Sequence, residues 1–149
     1  MESFVYEKLY KEKYIMYNHT VQYYETDKMG ITHHSNYIRW MEEARIDFLK
    51  QIGWDFVKLE NLGIVSPVVS VNCNYKATTT FADCVKIEVS VTEFKGIKLV
   101  LNYEMTNEDG KVVCDSTSTH CFLDKDGKPI NLKKQFPDFY EVLFDLANK

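Results

Sequence analysis

The 149-residue sequence lacks several features that mark other classes of protein. It contains no run of 18 apolar residues that could form a membrane-spanning helix. It also contains no cluster of Lys or Arg, and its net charge of −4 at pH 7 argues against binding to a nucleic-acid backbone. Residues 1–14 mix charges with aromatics and show no apolar core of signal-peptide length. We therefore expect a cytosolic protein that binds neither membranes nor nucleic acids.

The cysteines lack the short paired spacings of a zinc site. No C-x-x-C pair occurs, and in a reducing compartment such cysteines are free thiols that pack as small hydrophobic side chains. We expect no metal site and no disulfide among these cysteines. The cysteines are Cys73, Cys84, Cys114 and Cys121.

The sequence does contain apolar material for one core. Hydrophobic residues make up 45% of the chain, and aromatic residues, including ten Tyr and nine Phe, make up 14%. Large aromatic side chains supply buried faces and subunit contacts. The length and the even composition predict one domain over residues 1–149.

The first half of the chain predicts a strand, a turn and a long helix. Residues 15–25 are rich in β-branched and aromatic types, and T-D-K-M-G at 26–30 has the composition of a turn. A helix follows, capped by Ser35 or Asn36 and ended by Gly53. Residues 54–62 predict a second, short helix. The apolar face of the long helix recurs at 3.6-residue spacing: Tyr37, Met41, Ala44, Phe48 and Ile52.

The second half changes to the two-residue period of β-strands. A strand over 111–123 carries a run of small polar residues, and a helix with Pro137 in its first turn is predicted near 137–147. The pattern predicts an α+β domain, with a helix on one face of an antiparallel sheet of about five strands. Because such a sheet has open edges, we expect a second copy to pair with it. Three further segments alternate apolar and polar residues: 69–75, 85–91 and 99–105.

Residues 22–45 contain the groups needed for acyl transfer. Asp27 leaves the predicted strand, Gly30 permits a tight turn, and a helix begins about seven residues after Asp27. Unpaired N–H groups at a helix start can stabilise an oxyanion, and a nearby carboxylate can attack a carbonyl carbon or deprotonate a water. By itself the pattern favours simpler interpretations, because an Asp in such a turn usually bonds its own backbone. Likewise, Glu42 and Arg45 are spaced for an ion pair on the helix surface.

The run Y-E-T-D-K-M-G-I-T-H-H-S-N-Y-I-R-W-M-E-E-A-R at 24–45 resembles the signature of the 4-hydroxybenzoyl-CoA thioesterase-like branch of the hotdog superfamily. This resemblance implies a hotdog fold, in which a curved antiparallel sheet wraps a long central helix. It implies an acyl-CoA thioesterase that needs no metal or cofactor. It also implies a homodimer with active sites at the subunit interface, or a homotetramer made of two such dimers.

Carried over to this sequence, the resemblance gives Asp27 as the catalytic nucleophile or general base. It gives the backbone N–H of His34 as the donor that polarises the thioester carbonyl. Gly30 matches the glycine of the intervening loop, and Tyr37 matches a tyrosine of the first helical turn that lines the acyl pocket.

The contacts with CoA are the part of the pattern that departs from the family. Many members carry a basic residue followed by Ser where this sequence has Gly96-Ile97-Lys98. Lys95 and Lys98 remain as the candidate CoA contacts.

Two alternative functions stay open. A hotdog hydroxyacyl dehydratase would pair His33 or His34 with Glu42 or Glu43 as acid and base, although Asp27 would then have no role. A non-catalytic acyl-CoA-binding protein would keep the fold without turnover. Release of free CoA separates hydrolysis from both alternatives.

Overall fold

The computed structural model describes residues 14–148. Residues 1–13, where the sequence predicts no signal peptide, and residue 149 lie outside the described residues. Within 14–148, none of the helices has the length and apolar content needed to cross a membrane. The strands are β1 (Tyr17–Thr20), β2 (Val68–Tyr75), β3 (Cys84–Phe94), β4 (Leu99–Thr106) and β5 (Val112–His120). The helices are α1 (Ser35–Gln51), α2 (Phe56–Asn61), α3 (Leu132–Gln135) and α4 (Pro137–Ala147), and a 3-10 turn covers Tyr23–Glu25.

The five strands form one antiparallel sheet in the order β1-β3-β4-β5-β2. Helix α1 contacts β1, β2 and β3, so it lies across the sheet, and α4 packs against β3. Register shifts mark bulges in the sheet, for example between Val91 and Glu93, and bulges bend strands. The arrangement confirms the predicted α+β class. The largest fully buried side chains form the core between the layers: Trp40, Tyr103, Phe48, Phe122, Phe139 and Met41.

Helix α1 buries the apolar face that its periodicity predicts. The five predicted face residues are all buried, and Trp40 and Leu49 are buried beside them. Gly53 follows the last turn with φ +88°, a conformation that suits glycine, and its N–H donates to the Lys50 carbonyl at 3.1 Å. The predicted termination at Gly53 is therefore confirmed.

The first predicted strand is shorter than expected. β1 ends at Thr20, and the chain then turns through the 3-10 segment instead of continuing to residue 25. Tyr23 and Tyr24 are 76% and 80% exposed, so these two rings are not part of the core, although the ring of Tyr23 lies edge-on to Phe81 at 5.7 Å. The strand is limited by its partner, because Val21 N–H already donates to the Asp83 carbonyl at 2.8 Å, just before β3 begins.

Strand β2 forms an open edge of the sheet. Within residues 14–148 it pairs only with β5. Its exposed apolar side chains include Val69 and Tyr75, which are 62% and 46% exposed. An unpaired edge with exposed apolar residues is a surface on which another strand can pair.

The small polar residues of β5 belong to a buried hydrogen-bonded chain. Arg45 Nη1 donates to the Tyr103 hydroxyl at 3.3 Å, which lies 2.7 Å from Ser118 Oγ. Ser118 Oγ in turn lies 2.7 Å from His120 Nε2. Burial lowers the pKa of His120 to about 4, and the positive charge of Arg45 acts in the same direction, while the carbonyl of Pro67 opposes them. His120 is therefore neutral in the folded protein at neutral pH.

Stability should fall as the pH drops from about 6.5 to about 4, because the unfolded chain binds a proton on His120 there and the folded chain does not. Over this whole pH range, the free energy of unfolding should fall by about 3 kcal/mol. We expect urea unfolding at pH 7, 5.5 and 4.5 to show this decline, and a His120→Gln variant to show a flatter one. Parallel declines in the two proteins would contradict the assignment to His120.

Candidate active site

A short hairpin carries Asp27 away from the sheet and returns the chain to the start of α1. Thr26 and Thr32 form an antiparallel bridge, and Asp27 N–H donates to the Ile31 carbonyl at 2.8 Å. Gly30 closes the turn with φ +81°, where L side chains are disfavoured, and its N–H donates to the Asp27 carbonyl at 2.9 Å. The turn predicted at 26–30 is thus confirmed.

The carboxylate of Asp27 is half-buried and only partly engaged. Its Oδ1 accepts the N–H of Met29 at 2.8 Å, which is the local bond expected of an Asp in such a turn. Its Oδ2 accepts no hydrogen bond from any residue among 14–148. One oxygen therefore fixes the side chain, and the other stays available for chemistry.

The start of α1 differs from the sequence prediction, which placed the cap at Ser35 or Asn36. Ser35 is already the first helical residue, so His34 occupies the cap position. The His34 side chain makes no capping hydrogen bond. The ring of His33 accepts the Ser35 N–H at 3.2 Å. The N–H of His34 has no acceptor within the described residues, so it is the unpaired donor at this helix end.

A loop between β2 and β3 holds the hairpin in place. Thr32 N–H donates to the Thr79 carbonyl at 2.9 Å, and the two side-chain hydroxyls lie 2.6 Å apart. The Thr80 hydroxyl donates to the Gly30 carbonyl at 2.7 Å. The Tyr37 hydroxyl reaches Thr79 Oγ1 at 2.9 Å. These bonds join residues more than 40 positions apart and fix the turn that carries Asp27.

Aromatic rings surround the unpaired N–H. The rings of His33 and His34 stack at 4.3 Å, and Tyr75 lies edge-on to His34 at 6.2 Å and to Tyr37 at 5.2 Å. The Tyr75 hydroxyl donates to the His34 carbonyl at 3.1 Å. Tyr37 is buried, and burial raises the pKa of its hydroxyl. Tyr37 therefore contributes a buried ring and a hydroxyl that is bonded to Thr79.

The two candidate CoA lysines lie far from Asp27 within one chain. Lys95 and Lys98 are exposed on the β3–β4 turn, where both approach Glu93 at 3.4 and 3.8 Å. Strand β3 spans 11 residues, and Asp83 beside the Asp27 hairpin precedes its other end. At about 3.3 Å per residue, the turn is roughly 30 Å from the hairpin.

Two pairings considered from the sequence do not form among the described residues. Arg45 donates to Tyr103 and makes no ion pair with Glu42, because it turns beneath the helix toward the sheet. Neither His33 nor His34 contacts Glu42 or Glu43. Glu43 instead binds Tyr17 and His19 on β1.

Sequence reasoning missed the most heavily bonded carboxylate near the hairpin, Glu25. Its side chain is buried and accepts hydrogen bonds from the Trp40 indole at 2.6 Å and the Gln22 N–H at 2.8 Å. His19 Nε2 lies 2.7 Å from the same carboxylate. The 15-residue separation from Trp40 leaves no local pattern, and only the position of Glu25 two residues before Asp27 could have drawn attention to it.

Comparison with known proteins places this geometry in a family. The model of the thioesterase-like superfamily matches residues 21–143, which include the hairpin, α1 and the whole sheet from β2 onward. The chain belongs to the thioesterase-like superfamily. Its fold is that of the hotdog thioesterases, and its activity class is that of a thioester hydrolase, as the resemblance implied.

Named relatives of this thioesterase-like chain cover most of its length. The putative acyl-CoA thioesterase YneP of Bacillus subtilis is 36% identical over 87% of this chain and 94% of its own. The crystal structure of a DHNA-CoA thioesterase from Staphylococcus aureus is 34% identical, with a TM-score of 0.84, over 87% of this chain and 88% of its own. A 1,4-dihydroxy-2-naphthoyl-CoA hydrolase from Thermosynechococcus vestitus is 25% identical over 72% of this chain and 74% of its own.

Removing the Thr79 hydroxyl should loosen the hairpin of this thioesterase-like protein. Thr79→Val deletes the bonds to Thr32 and Tyr37 and leaves both hydroxyls buried. We expect a loss of about 1–3 kcal/mol in the free energy of unfolding, measured in urea. Thr78→Val makes the same change at an exposed neighbour and should stay within about 0.5 kcal/mol of the original protein. Equal losses in both variants would show that the Thr79 hydroxyl contributes no more to the free energy of unfolding than the exposed Thr78 hydroxyl does.

Proposed function

We propose that the protein hydrolyses acyl-CoA thioesters to a carboxylic acid and free CoA in the cytoplasm, with Asp27 as nucleophile or general base. The observation that carries this proposal is a pair of groups that have no hydrogen-bond partner among residues 14–148, the Oδ2 of Asp27 in the hairpin and the N–H of His34 at the start of α1. Several named relatives support the substrate class, among them the putative acyl-CoA thioesterase YneP and the DHNA-CoA thioesterase.

The chemistry needs little beyond this pair. The His34 N–H donates to the thioester oxygen as it gains negative charge, which a preformed donor stabilises without reorganisation. As general base, Asp27 takes a proton from water while the oxygen of that water bonds to the carbonyl carbon. The C–S bond then breaks, and the departing CoA thiolate recovers the proton from Asp27. As nucleophile, Asp27 would instead form an acyl anhydride that water cleaves.

The alternative functions fit the geometry less well. A dehydratase would need a His–carboxylate pair, but His33 bonds Ser35 at 2.8 Å, while Glu43 bonds residues of β1. A non-catalytic acyl-CoA binder has no use for a carboxylate that keeps one oxygen unpaired beside a helix start. Release of free thiol from a panel of aliphatic and hydroxyaryl CoA thioesters, with enoyl products assayed in parallel, distinguishes the three.

A second copy would complete the site through strand β2. If β2 pairs antiparallel with its own copy about a centre between Val71 and Asn72, Tyr75 of one chain lies opposite Val68 of the other. Val68, His120 and Leu99 are level across neighbouring strands, so the partner subunit's Lys98 comes toward the Asp27 hairpin. Lys95 and Lys98 of one chain could then contact the phosphates of a CoA bound at the other chain's Asp27 hairpin, although they lie far from the Asp27 hairpin of their own chain.

The same pairing supplies room for the acyl group. An open cavity of about 250 Å³ lies just before β2, lined mainly by apolar side chains. In the pairing above, this cavity of one copy continues beyond Tyr75 of the other. Its lining is Phe56, Leu59, Glu60, Ile64, Val65 and Ser66.

Asp27→Asn should abolish most hydrolysis without unfolding the protein. The Asn side-chain oxygen can still accept the Met29 N–H, so the turn persists, but the charge needed for attack or proton transfer is gone. We expect kcat to fall at least about a hundredfold in a thiol-release assay. His34→Ala is the matched comparison, because it keeps the backbone N–H, and its loss should be far smaller. A folded Asp27→Asn protein within about threefold of the original rate would refute the assignment.

Light scattering at micromolar concentration should show a dimer, or a tetramer made of two dimers. Val71→Lys places a charge in the middle of the exposed β2 edge, where Val71 is 38% exposed, and should yield monomers with little activity. Val57→Lys makes the same substitution at a position of α2 that is 67% exposed, and it should leave the mass unchanged. A fully active monomer would exclude a shared site.

A further inference from the structure

We propose that Glu25 is a positioning residue for the thioesterase reaction, because one buried carboxylate ties the Asp27 hairpin to both β1 and α1. This inference rests on the proposed function of Asp27 and His34. Glu25 is only 4% exposed, and it is not a group that a substrate can touch. Its effect on the reaction must therefore pass through the backbone that it holds.

Three N–H groups converge on the Glu25 carboxylate from different parts of the fold. His19 Nε2 and the Gln22 N–H both meet Oε1, at 2.7 and 2.8 Å, and the Trp40 indole meets Oε2 at 2.6 Å. Trp40 lies one to two turns inside α1, and its ring packs against His19 at 4.6 Å. The carboxylate thus fixes the distance between β1 and the helix.

The backbone of the same residue holds the other arm of the hairpin. The Glu25 carbonyl accepts the His33 N–H at 2.8 Å and the Asn36 side-chain amide at 2.9 Å. His33 directly precedes the unpaired N–H of His34, and Asp27 follows Glu25 by two residues. The side chain and the carbonyl of Glu25 together set the relative position of the two proposed reacting groups.

The charge on Glu25 is required by its partners. Burial opposes ionisation, but the bonds from Gln22, Trp40 and His19, with the charge of His19, outweigh it and hold the pKa of Glu25 below its usual value. Neither the Gln22 N–H nor the Trp40 N–H can accept a hydrogen bond. In Glu25→Gln, the new NH₂ group must therefore face one of these donors in either orientation of the amide.

The test compares Glu25→Gln with Glu42→Gln, the same change on an exposed α1 carboxylate that makes no hydrogen bond or ion pair within residues 14–148. We expect Glu25→Gln to lower kcat at least about tenfold with KM within threefold, since misplacing reacting groups by about 1 Å costs up to about a hundredfold. The His33 amide should also exchange with deuterium faster, while amides in the last turn of α1 keep their rates. Glu42→Gln should change neither kcat nor exchange.

Unchanged exchange at His33, or faster exchange with an unchanged kcat, would overturn the proposal. Should Glu25→Gln fail to fold, Trp40→Phe removes one of the three donors, keeps a ring, and must show the same two effects to a smaller degree. Failure of the proposed function is seen separately. If Asp27→Asn retains full activity, the catalytic part of the inference falls with it, and the His33 exchange rate still decides whether Glu25 holds the hairpin.

Discussion

The burial of one side of helix α1 against the five-stranded sheet is the constraint on which the other elements depend. A helix whose apolar face is closed off by β-strands can expose its unpaired backbone groups only at its ends. At the C-terminal end, Gly53 and the following turn satisfy the last carbonyls. At the N-terminal end, the His33 N–H and the Asn36 side-chain amide donate to the Glu25 carbonyl of the hairpin. The His34 N–H has no acceptor among the described residues. The fold thus leaves one donor open, beside the turn that carries Asp27.

Much of this architecture is predictable because it follows local periodicity. The face of α1, the alternating strands and the turn at 26–30 all come from residues that are neighbours along the chain or one helical turn apart. The extent of β1 is different, because it depends on where β3 begins to pair with it. Tyr23 and Tyr24 have high strand propensity, but no strand partner reaches them within the described chain. The end of strand pairing, and not the strand propensity of these residues, therefore sets the length of β1.

The polar contacts that support the hairpin and the core cannot be predicted from a local pattern either, because they join residues that are far apart in the sequence. Thr32 meets Thr79 across 47 positions, Glu25 meets Trp40 across 15, and Arg45 reaches Tyr103 across 58. The predicted Glu42–Arg45 pair shows how a rule for an isolated helix fails when one partner has a buried alternative. A surface ion pair contributes at most about 1 kcal/mol. Arg45 instead donates to the Tyr103 hydroxyl, which also bonds Ser118 Oγ within the buried polar chain.

If Asp27 and the His34 N–H act as proposed, the bonds that fix the hairpin explain how so small a catalytic set suffices for thioester hydrolysis. A thiolate leaves more readily than an alkoxide, so the main requirement is to hold one carboxylate and one N–H donor in a fixed relation to the carbonyl. Fixed donors stabilise a developing oxyanion because they need not reorganise as charge appears. Here Glu25 makes hydrogen bonds on one side of the hairpin, and Thr79 makes them on the other. Asp27 uses only one of its carboxylate oxygens to bond its own turn. Within the described residues, Asp27 Oδ2 and the His34 N–H keep no hydrogen-bond partner, and these are the two groups proposed for the reaction.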